Sequence, residues 1–200
     1  EAGLRYAGPA LSLEATGFFS DYDNLVGTCT ASTGGGCTIG DQFEGGEVDV
    51  RGLELMASYD AGEALGWSIA VPLALIYTYT QGNFQSSFAS SFAPWGAVIA
   101  GDELPYLPEH QLTFNAGLEA ARWRANLAVN YVSEARAEAG QGSIPAGERV
   151  DERVLLDIAG EFDLTDNLAL FATATNLTDE IYNVGFAPAG ARPGAPRMVM

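Results

Sequence analysis

The sequence predicts an all-β fold, an antiparallel transmembrane β-barrel segment of about nine strands that belongs to a larger barrel. Three observations support this prediction. Large apolar residues alternate with small or polar ones along segments longer than most strands of soluble proteins. Aromatic residues stand at both ends of these apolar stretches. Short and long connections alternate along the chain, which is typical of a barrel with short periplasmic turns and long extracellular loops.

The alternation is clearest in 66–80, GWSIAVPLALIYTYT. Its odd positions are large and apolar, whereas its even positions are mostly small or hydroxylated. A helix would place apolar residues three and four apart, and Pro72 would interrupt it. We therefore predict one strand with a lipid-facing side and a lumen-facing side. The predicted aromatic girdle at the membrane surface contains Trp67, Tyr77, Tyr79, Trp123 and Tyr131.

The same alternation along the rest of the chain predicts the other strands and their connections. Predicted strands cover 1–7, 11–20, 47–59, 66–80, 110–119, 122–131, 153–163, 168–176 and 197–200. Tight turns are predicted at 8–9, 60–63, 120–121 and 165–167, and long loops at 28–46, 81–107, 135–150 and 180–196. Because single-chain bacterial barrels have an even number of strands, nine strands indicate part of a larger barrel.

Composition excludes several classes of protein. A formal net charge of −17 argues against a nucleic-acid partner. No run of about 18 apolar residues occurs, so no transmembrane helix is expected. The chain opens at Glu1 in what reads as the tail of a strand, without a leader, so we expect a segment of a longer or processed protein. The lone His110, with no nucleophile–base pair and no phosphate loop, predicts neither an enzyme nor a metal site.

Two sets of polar residues have assignable roles. Cys29 and Cys37 lie in a Gly/Ser/Thr-rich loop, where a disulfide formed in an oxidising compartment is expected and free thiols are the alternative. Alternation directs one set of charged side chains into the lumen, where cross-strand ion pairs are expected. This set comprises Glu54, Glu119, Asp157 and Glu161 with Arg122, Arg124 and Arg153.

Several motifs together resemble the barrel of a known receptor family. They are FFSDYDNL at 18–25, GLE at 52–54, LPYLPEH at 104–110, ATNLTDEIY at 174–182 and ARPGAPR at 191–197. On these residues the chain resembles the C-terminal part of the barrel of TonB-dependent outer-membrane receptors, over nearly all of residues 1–200. Within that family it looks most like the ferric-citrate and siderophore receptors, mainly through the cysteine loop and GDQFEGG at 40–46.

The resemblance implies a barrel of about 22 strands in the outer membrane of a Gram-negative bacterium. It also implies a plug domain and a TonB box, neither of which this sequence contains. The implied function is energy-dependent uptake of a ferric chelate, with iron only as part of the transported chelate and no resident cofactor. The implied partners are outer-membrane lipid and lipopolysaccharide, a ferric siderophore, and the TonB complex through the N-terminal region.

Ligand contacts are expected from the long loops. The candidates are aromatic residues that could contact an organic chelator and arginines that suit an anionic one: Phe84, Phe88, Phe92, Trp95, Arg136, Arg149 and Arg192. These residues could instead pack the loops or contact lipopolysaccharide. Because the net negative charge of the chain does not favour an anionic ligand, a neutral siderophore, a corrinoid or an oligosaccharide is also possible. The alternative functions are a passive porin or adhesin-like barrel and, further away, a secreted β-rich binding module.

Overall fold

The computed structural model describes residues 1–30, 37–186 and 190–200. These described residues form seventeen strands and one short helix. In chain order they are β1 (Ala2–Ala7), β2 (Leu11–Tyr22), β3 (Val26–Thr28), β4 (Gln42–Glu44), β5 (Val48–Asp60), α1 (Ala61–Leu65), β6 (Pro72–Phe84), β7 (Phe88–Ala89), β8 (Ala97–Val98), β9 (His110–Ala120), β10 (Trp123–Val132), β11 (Ala135–Arg136), β12 (Arg149–Val150), β13 (Arg153–Thr165), β14 (Leu168–Thr175), β15 (Asn183–Gly185), β16 (Arg192–Pro193) and β17 (Met198–Val199). Among the described residues no helix has the length and apolar character needed to cross a membrane.

Nine of the strands form one antiparallel sheet in sequential order, β1-β2-β5-β6-β9-β10-β13-β14-β17. Each strand pairs with the next one of this series along the chain, so the sheet is a simple meander. The predicted fold class and the predicted count of about nine strands are confirmed. In the described residues the sheet stays open, with β1 and β17 at its two edges.

The connections alternate in length as predicted. Four long loops leave one end of the sheet, and each contains a small two-stranded sheet of its own. We name them L1 (23–47), L2 (85–109), L3 (133–152) and L4 (176–197), and we call this edge the loop end. The other edge, the turn end, has tight turns at 8–10, 121–122 and 166–167 and a longer connection at 61–71.

The strand predicted at 66–80 is wrong in its bounds, because β6 runs from Pro72 to Phe84. The Asp60 side chain accepts a hydrogen bond from the Glu63 amide and caps α1, and Gly66 ends that helix with a left-handed φ of 67°. Trp67 therefore follows a helix and lies outside the strands. Pro72 occupies the first position of β6, which suits a residue that has no amide to donate.

The register gives the sheet two unlike faces. We call one the apolar face: Tyr77, Leu112 and Tyr131 lie side by side on it in one cross-strand row near the loop end. The opposite, polar face includes the cross-strand pairs Ser12–Ser58, Thr113–Asn130 and Arg124–Glu161. Trp123 and Tyr131 are eight residues apart on β10, about 26 Å along an extended strand. At the tilt usual for strands of membrane barrels, this length corresponds to a height of about 20 Å, close to the apolar band of such barrels.

The buried core lies at the loop end and on the polar face. Val48 and Phe84 are fully buried, and the register pairs them at that face. Val98 of L2 completes the core. Half-buried residues from L1, L2, L3 and β5 pack around these three: Leu25, Val50, Phe88, Trp95, Leu104 and Ala139. The long loops therefore fold inward over the polar face instead of extending away from the sheet.

Candidate functional site at the loop end

Aromatic rings join L1 to L2. Phe43, on the β3–β4 hairpin of L1, stacks on Phe92 with ring centroids 4.6 Å apart. The same ring meets Trp95 edge-to-face at 5.0 Å, and Trp95 meets Phe84 in the same manner at 5.7 Å. Such edge-to-face and offset pairs add to the energy of apolar burial. L1 is thereby held against L2 above the polar face of β6.

Charged and polar side chains join L2 to L3. The Arg136 Nε donates to Glu103 Oε2 at 2.6 Å, and the Arg136 side chain is only 5% exposed. Arg136 Nη2 also donates to the Gly142 carbonyl at 2.8 Å. Gln141 donates to the Asp102 carboxylate at 3.1 Å. These contacts neutralise Arg136 inside the protein and connect the two loops.

L4 joins the same layer. The Asn183 amide donates to Asp151 Oδ2 of L3 at 2.9 Å, and the Phe186 amide donates to the Tyr106 hydroxyl of L2 at 3.3 Å. At the base of L4, Asn176 is 3% exposed and its side chain bonds the backbone of Glu180 in both directions. All four long loops are therefore linked in one layer over the polar face.

The aromatic candidates divide into core and half-exposed residues. Phe84 lies in β6, not in a loop as predicted, and it is fully buried. Phe88, Phe92 and Trp95 lie in L2, where the structure leaves each partly exposed. Of the four aromatic candidates, only Phe88, Phe92 and Trp95 are therefore exposed enough to contact a ligand directly.

The arginine candidates divide in the same way. Arg136 is enclosed and paired with Glu103, so it stabilises the layer. Arg149 is 46% exposed and lies 3.7 Å from the Glu134 carboxylate. Arg192 is exposed on β16. Of these three, Arg149 and Arg192 offer guanidinium groups at the surface.

Arg153 is a further cation that the sequence did not single out for ligand contact. It lies on the polar face at the start of β13, and its guanidinium carbon is 5.4 Å from the centroid of the Tyr182 ring. Among the described residues it makes no ion pair with a carboxylate. The Tyr182 ring in turn lies against Gly194, whose amide donates to the Tyr182 carbonyl at 2.8 Å. Residue spacing in the sequence does not indicate that the Tyr182 ring of L4 lies beside Arg153.

The predicted ion pairs of the polar face form only in part. Arg124 pairs with Glu161 at 2.6 Å, as predicted. Arg122 instead donates to the backbone carbonyls of Asp163 and Leu164. Asp157 accepts a hydrogen bond from the Asn176 amide at 2.8 Å. Backbone groups at strand ends therefore compete for these charged side chains, which an argument from alternation alone does not anticipate.

The cysteines and the predicted girdle aromatics occupy the following positions in the structure. Cys29 and Cys37 are joined by a disulfide in L1, whose residues 31–36 lie outside the described part of the chain. Tyr77 and Tyr79 lie near the loop end of the apolar face, and the Tyr77 hydroxyl is 2.8 Å from His110 Nδ1. Trp123 opens β10 at the turn end. Across the described residues, no three His, Cys, Asp or Glu side chains are arranged to hold a metal ion.

Comparison with solved structures identifies the fold. The crystal structure of ferric citrate transporter FecA in the unliganded form superposes with a TM-score of 0.69 and 20% sequence identity, covering 98% of this chain and 29% of that one. The siderophore receptor PiuA from Acinetobacter baumannii gives a TM-score of 0.67 at 16% identity, covering 98% of this chain and 26% of that one. The copper transporter OprC gives 0.62 at 20% identity, covering 98% of this chain and 29% of that one.

These structures share the fold, and the chain spans less than a third of the length of each. No curated protein sequence matches the chain at a significant level. A family model described as TonB dependent receptor-like, beta-barrel, matches residues 1–177. The nine-stranded meander, the two unlike faces and this match agree, and the chain belongs to the TonB-dependent receptor-like β-barrel family.

Proposed function

We propose that this chain forms part of the barrel wall of an outer-membrane receptor that imports a ferric chelate, ferric citrate or another ferric siderophore, in a Gram-negative bacterium. In this proposal the apolar face meets lipid and lipopolysaccharide, the polar face lines the lumen, and the loop end is extracellular. Residues 1–200 belong to the C-terminal portion of the barrel, and the plug domain and TonB box that couple the receptor to the TonB complex belong to another part of the protein. The chain carries no resident cofactor and no enzymatic centre.

The observation that carries the proposal is the inward-folded loop layer. A passive channel needs an open mouth, whereas here four loops are linked to one another above the polar face. A layer of this kind suits a receptor that must bind its ligand before transport. Solved structures of a ferric citrate transporter and a siderophore receptor share the fold, which supports iron chelates as the ligand class.

Within the layer, Arg153 is the best placed cation for an anionic chelate. Its guanidinium faces the lumen side and is balanced by the Tyr182 ring instead of a carboxylate. A guanidinium in this state keeps its charge and several donors for a ligand carboxylate. Arg149 and Arg192 are the additional cations at the surface, and Phe88, Phe92 and Trp95 are the aromatic contacts.

Equilibrium titration of the full-length receptor in detergent tests this proposal. Ferric citrate and a panel of ferric siderophores are titrated into the wild type, Arg153→Gln and Arg153→Lys. We expect saturable binding of one chelate and a rise in Kd of about 10- to 100-fold for Arg153→Gln, since a hydrogen bond to a charged group contributes about 1.5–3 kcal/mol. Arg5→Gln, at a polar-face arginine near the turn end, is the control and leaves Kd unchanged.

Two results would count against the proposal in different ways. Saturable binding that Arg153→Gln does not weaken would remove Arg153 from the site and leave the receptor function standing. No binding of any chelate, together with steady ion conductance in a planar bilayer, would identify a passive porin.

A further inference from the structure

The Arg153 guanidinium is held by an aromatic ring and not by hydrogen bonds. In the part of the chain that the structure describes, none of its N–H donors bonds to a protein acceptor. The side chain is half-buried at the start of β13, and its guanidinium carbon lies 5.4 Å from the centroid of the Tyr182 ring. Fixing a long side chain in one position costs conformational entropy, which a favourable contact must offset. Among the described residues, the Tyr182 ring is the contact that stabilises this cation.

The ring is itself held in place by the two strands of L4. Tyr182 is 9% exposed and directly precedes β15, whereas Gly194 directly follows β16. The Gly194 amide donates to the Tyr182 carbonyl at 2.8 Å, and a methyl group added at Gly194 would overlap the Tyr182 ring. The ring therefore packs directly on the backbone at Gly194. Asn176 holds the same segment of L4, since its side chain donates to the Ala195 carbonyl at 3.0 Å.

Hydrogen bonds join L4 to L3 next to Arg153. The Asn183 amide donates to Asp151 Oδ2 at 2.9 Å, and the Asn183 side chain donates to the Arg149 carbonyl at 3.2 Å. Asn183 follows Tyr182 in the chain, and Asp151 lies two residues before Arg153. These bonds therefore hold the backbone on both sides of the contact between the ring and the guanidinium.

We infer that Tyr182 is a positioning residue for ligand binding, which holds the Arg153 guanidinium so that its donors can bind oxygen atoms of an anionic chelate. A ring face attracts a guanidinium without using its N–H donors, whereas a carboxylate partner would occupy them and cancel the charge. In this arrangement Tyr182 acts through Arg153 and not by touching the chelate. The inference rests on the function proposed above, and it gives L4 a part in setting the affinity for the chelate.

A double-mutant cycle in the full-length receptor tests the inference. Binding of ferric citrate, and of each ferric siderophore in the panel above, is measured in detergent for Tyr182→Leu and Tyr182→Phe. Each variant is made in the wild type and in Arg153→Gln. In the wild type we expect Tyr182→Leu to raise Kd about 5- to 30-fold, because the cation–π attraction is lost. Tyr182→Phe keeps a ring and should recover binding to within about twofold of the wild type.

The Arg153→Gln background separates positioning from a merely structural role. There, Tyr182→Leu should change Kd by less than about twofold, because the guanidinium that the ring positions is already absent. A ring needed only for the folding of L4 would instead weaken binding by the same factor in both backgrounds.

Gly194→Ala tests the position of the ring without changing the ring itself. The added methyl group should displace the ring and raise Kd about 5- to 30-fold, and only when Arg153 is present. Gly147→Ala in L3 is the matched control, since a methyl group there would meet nothing within 4 Å. This control should leave Kd unchanged.

The outcomes distinguish failure of this inference from failure of the proposed function. Equal weakening by Tyr182→Leu in both backgrounds would overturn the inference. Weakening by Arg153→Gln but not by Tyr182→Leu would also overturn it and would leave the proposed function standing. If no chelate binds, the proposed function fails and the inference fails with it. If a chelate binds and Arg153→Gln does not change its Kd, the inference fails and the receptor function stands.

Discussion

At the scale of single residues, glycines make room for aromatic rings in this structure. The Phe18 ring lies over Gly52 on the polar face, and the Trp95 ring lies over Gly45 in L1. The sequence shows Phe18 as an exception to the alternation, since a large apolar residue stands among polar ones. Its cross-strand partner explains it, because the register places Phe18 opposite Gly52. Gly52 on β5 thus makes room for the large side chain of Phe18 on β2.

Gly52→Ala tests this pairing. The added methyl group would have to displace the Tyr79 carbonyl and the Phe18 ring, so we expect a loss of about 1–3 kcal/mol in the free energy of unfolding. Gly17→Ala on the neighbouring strand has space for its methyl group and should change stability by less than about 0.5 kcal/mol. Urea unfolding of the receptor in detergent measures both. Equal losses for the two variants would refute the close approach at Gly52.

Arg136 provides a second test at this scale. Its guanidinium is 5% exposed and Glu103 is 41% exposed, so the pair is half-screened by solvent. Arg136→Ala should lower the free energy of unfolding by about 1–3 kcal/mol, less than a fully buried pair would lose. Arg149→Ala, at an exposed side chain, should change it by less than about 0.5 kcal/mol. Thermal unfolding measures the difference, and a similar stability for the two variants would contradict a structural role for Arg136.

At the scale of elements, period-two alternation predicts strands well wherever a strand has one apolar and one polar face. It fails at the two ends of β6 for different reasons. At its beginning, Trp67 and Ile69 continue the apolar pattern, yet the cap at Asp60 and the left-handed Gly66 place a helix before the strand. At its end, Gln81 and Asn83 look like loop residues, yet they remain paired with β5.

The loops could be placed from the sequence but their contacts could not. Alternating connection lengths predict four long loops at one end, and their glycine and proline content predicts irregular structure. No local pattern indicates that Phe43 meets Phe92, or that Arg136 meets Glu103, because these pairs join loops far apart in sequence. Six of the seven aromatic and arginine candidates lie in long loops as predicted and Phe84 does not. Their contact partners could not be predicted, and Arg153 was not among the candidates.

The base of L4 gives a prediction at the element scale. Asn176 has a positive φ of 49°, and its side chain bonds Glu180 and the Ala195 carbonyl. Asn176→Gly removes the side-chain hydrogen bonds but still adopts a positive φ easily. Asn176→Ala removes the same bonds and also disfavours the positive φ. We expect faster amide hydrogen exchange in 177–186 and 190–197 for both variants, and more so for alanine. Unchanged exchange in both variants would show that L4 is held by other contacts.

At the scale of the whole molecule, the nine-stranded sheet has two unlike faces and a layer of loops at one end. One face is apolar, the other carries polar and charged side chains, and the long loops fold over the polar face. In the described residues the sheet is open, with β1 and β17 at its two edges. The strands and their two faces could be predicted from the sequence because alternation is a property of every strand. The ligand could not be predicted from the sequence, because ligand recognition depends on contacts between loops.

Uptake of radiolabelled iron by iron-starved cells that carry the full-length receptor distinguishes energy-dependent import from passive diffusion. The cells are given labelled ferric citrate and, in parallel, other labelled ferric siderophores, with the TonB system intact or deleted. We expect saturable uptake of one chelate, and we expect that uptake to be lost when the TonB system is deleted. Uptake of every chelate that rises in proportion to concentration and is unaffected by the deletion would contradict it and indicate a passive barrel.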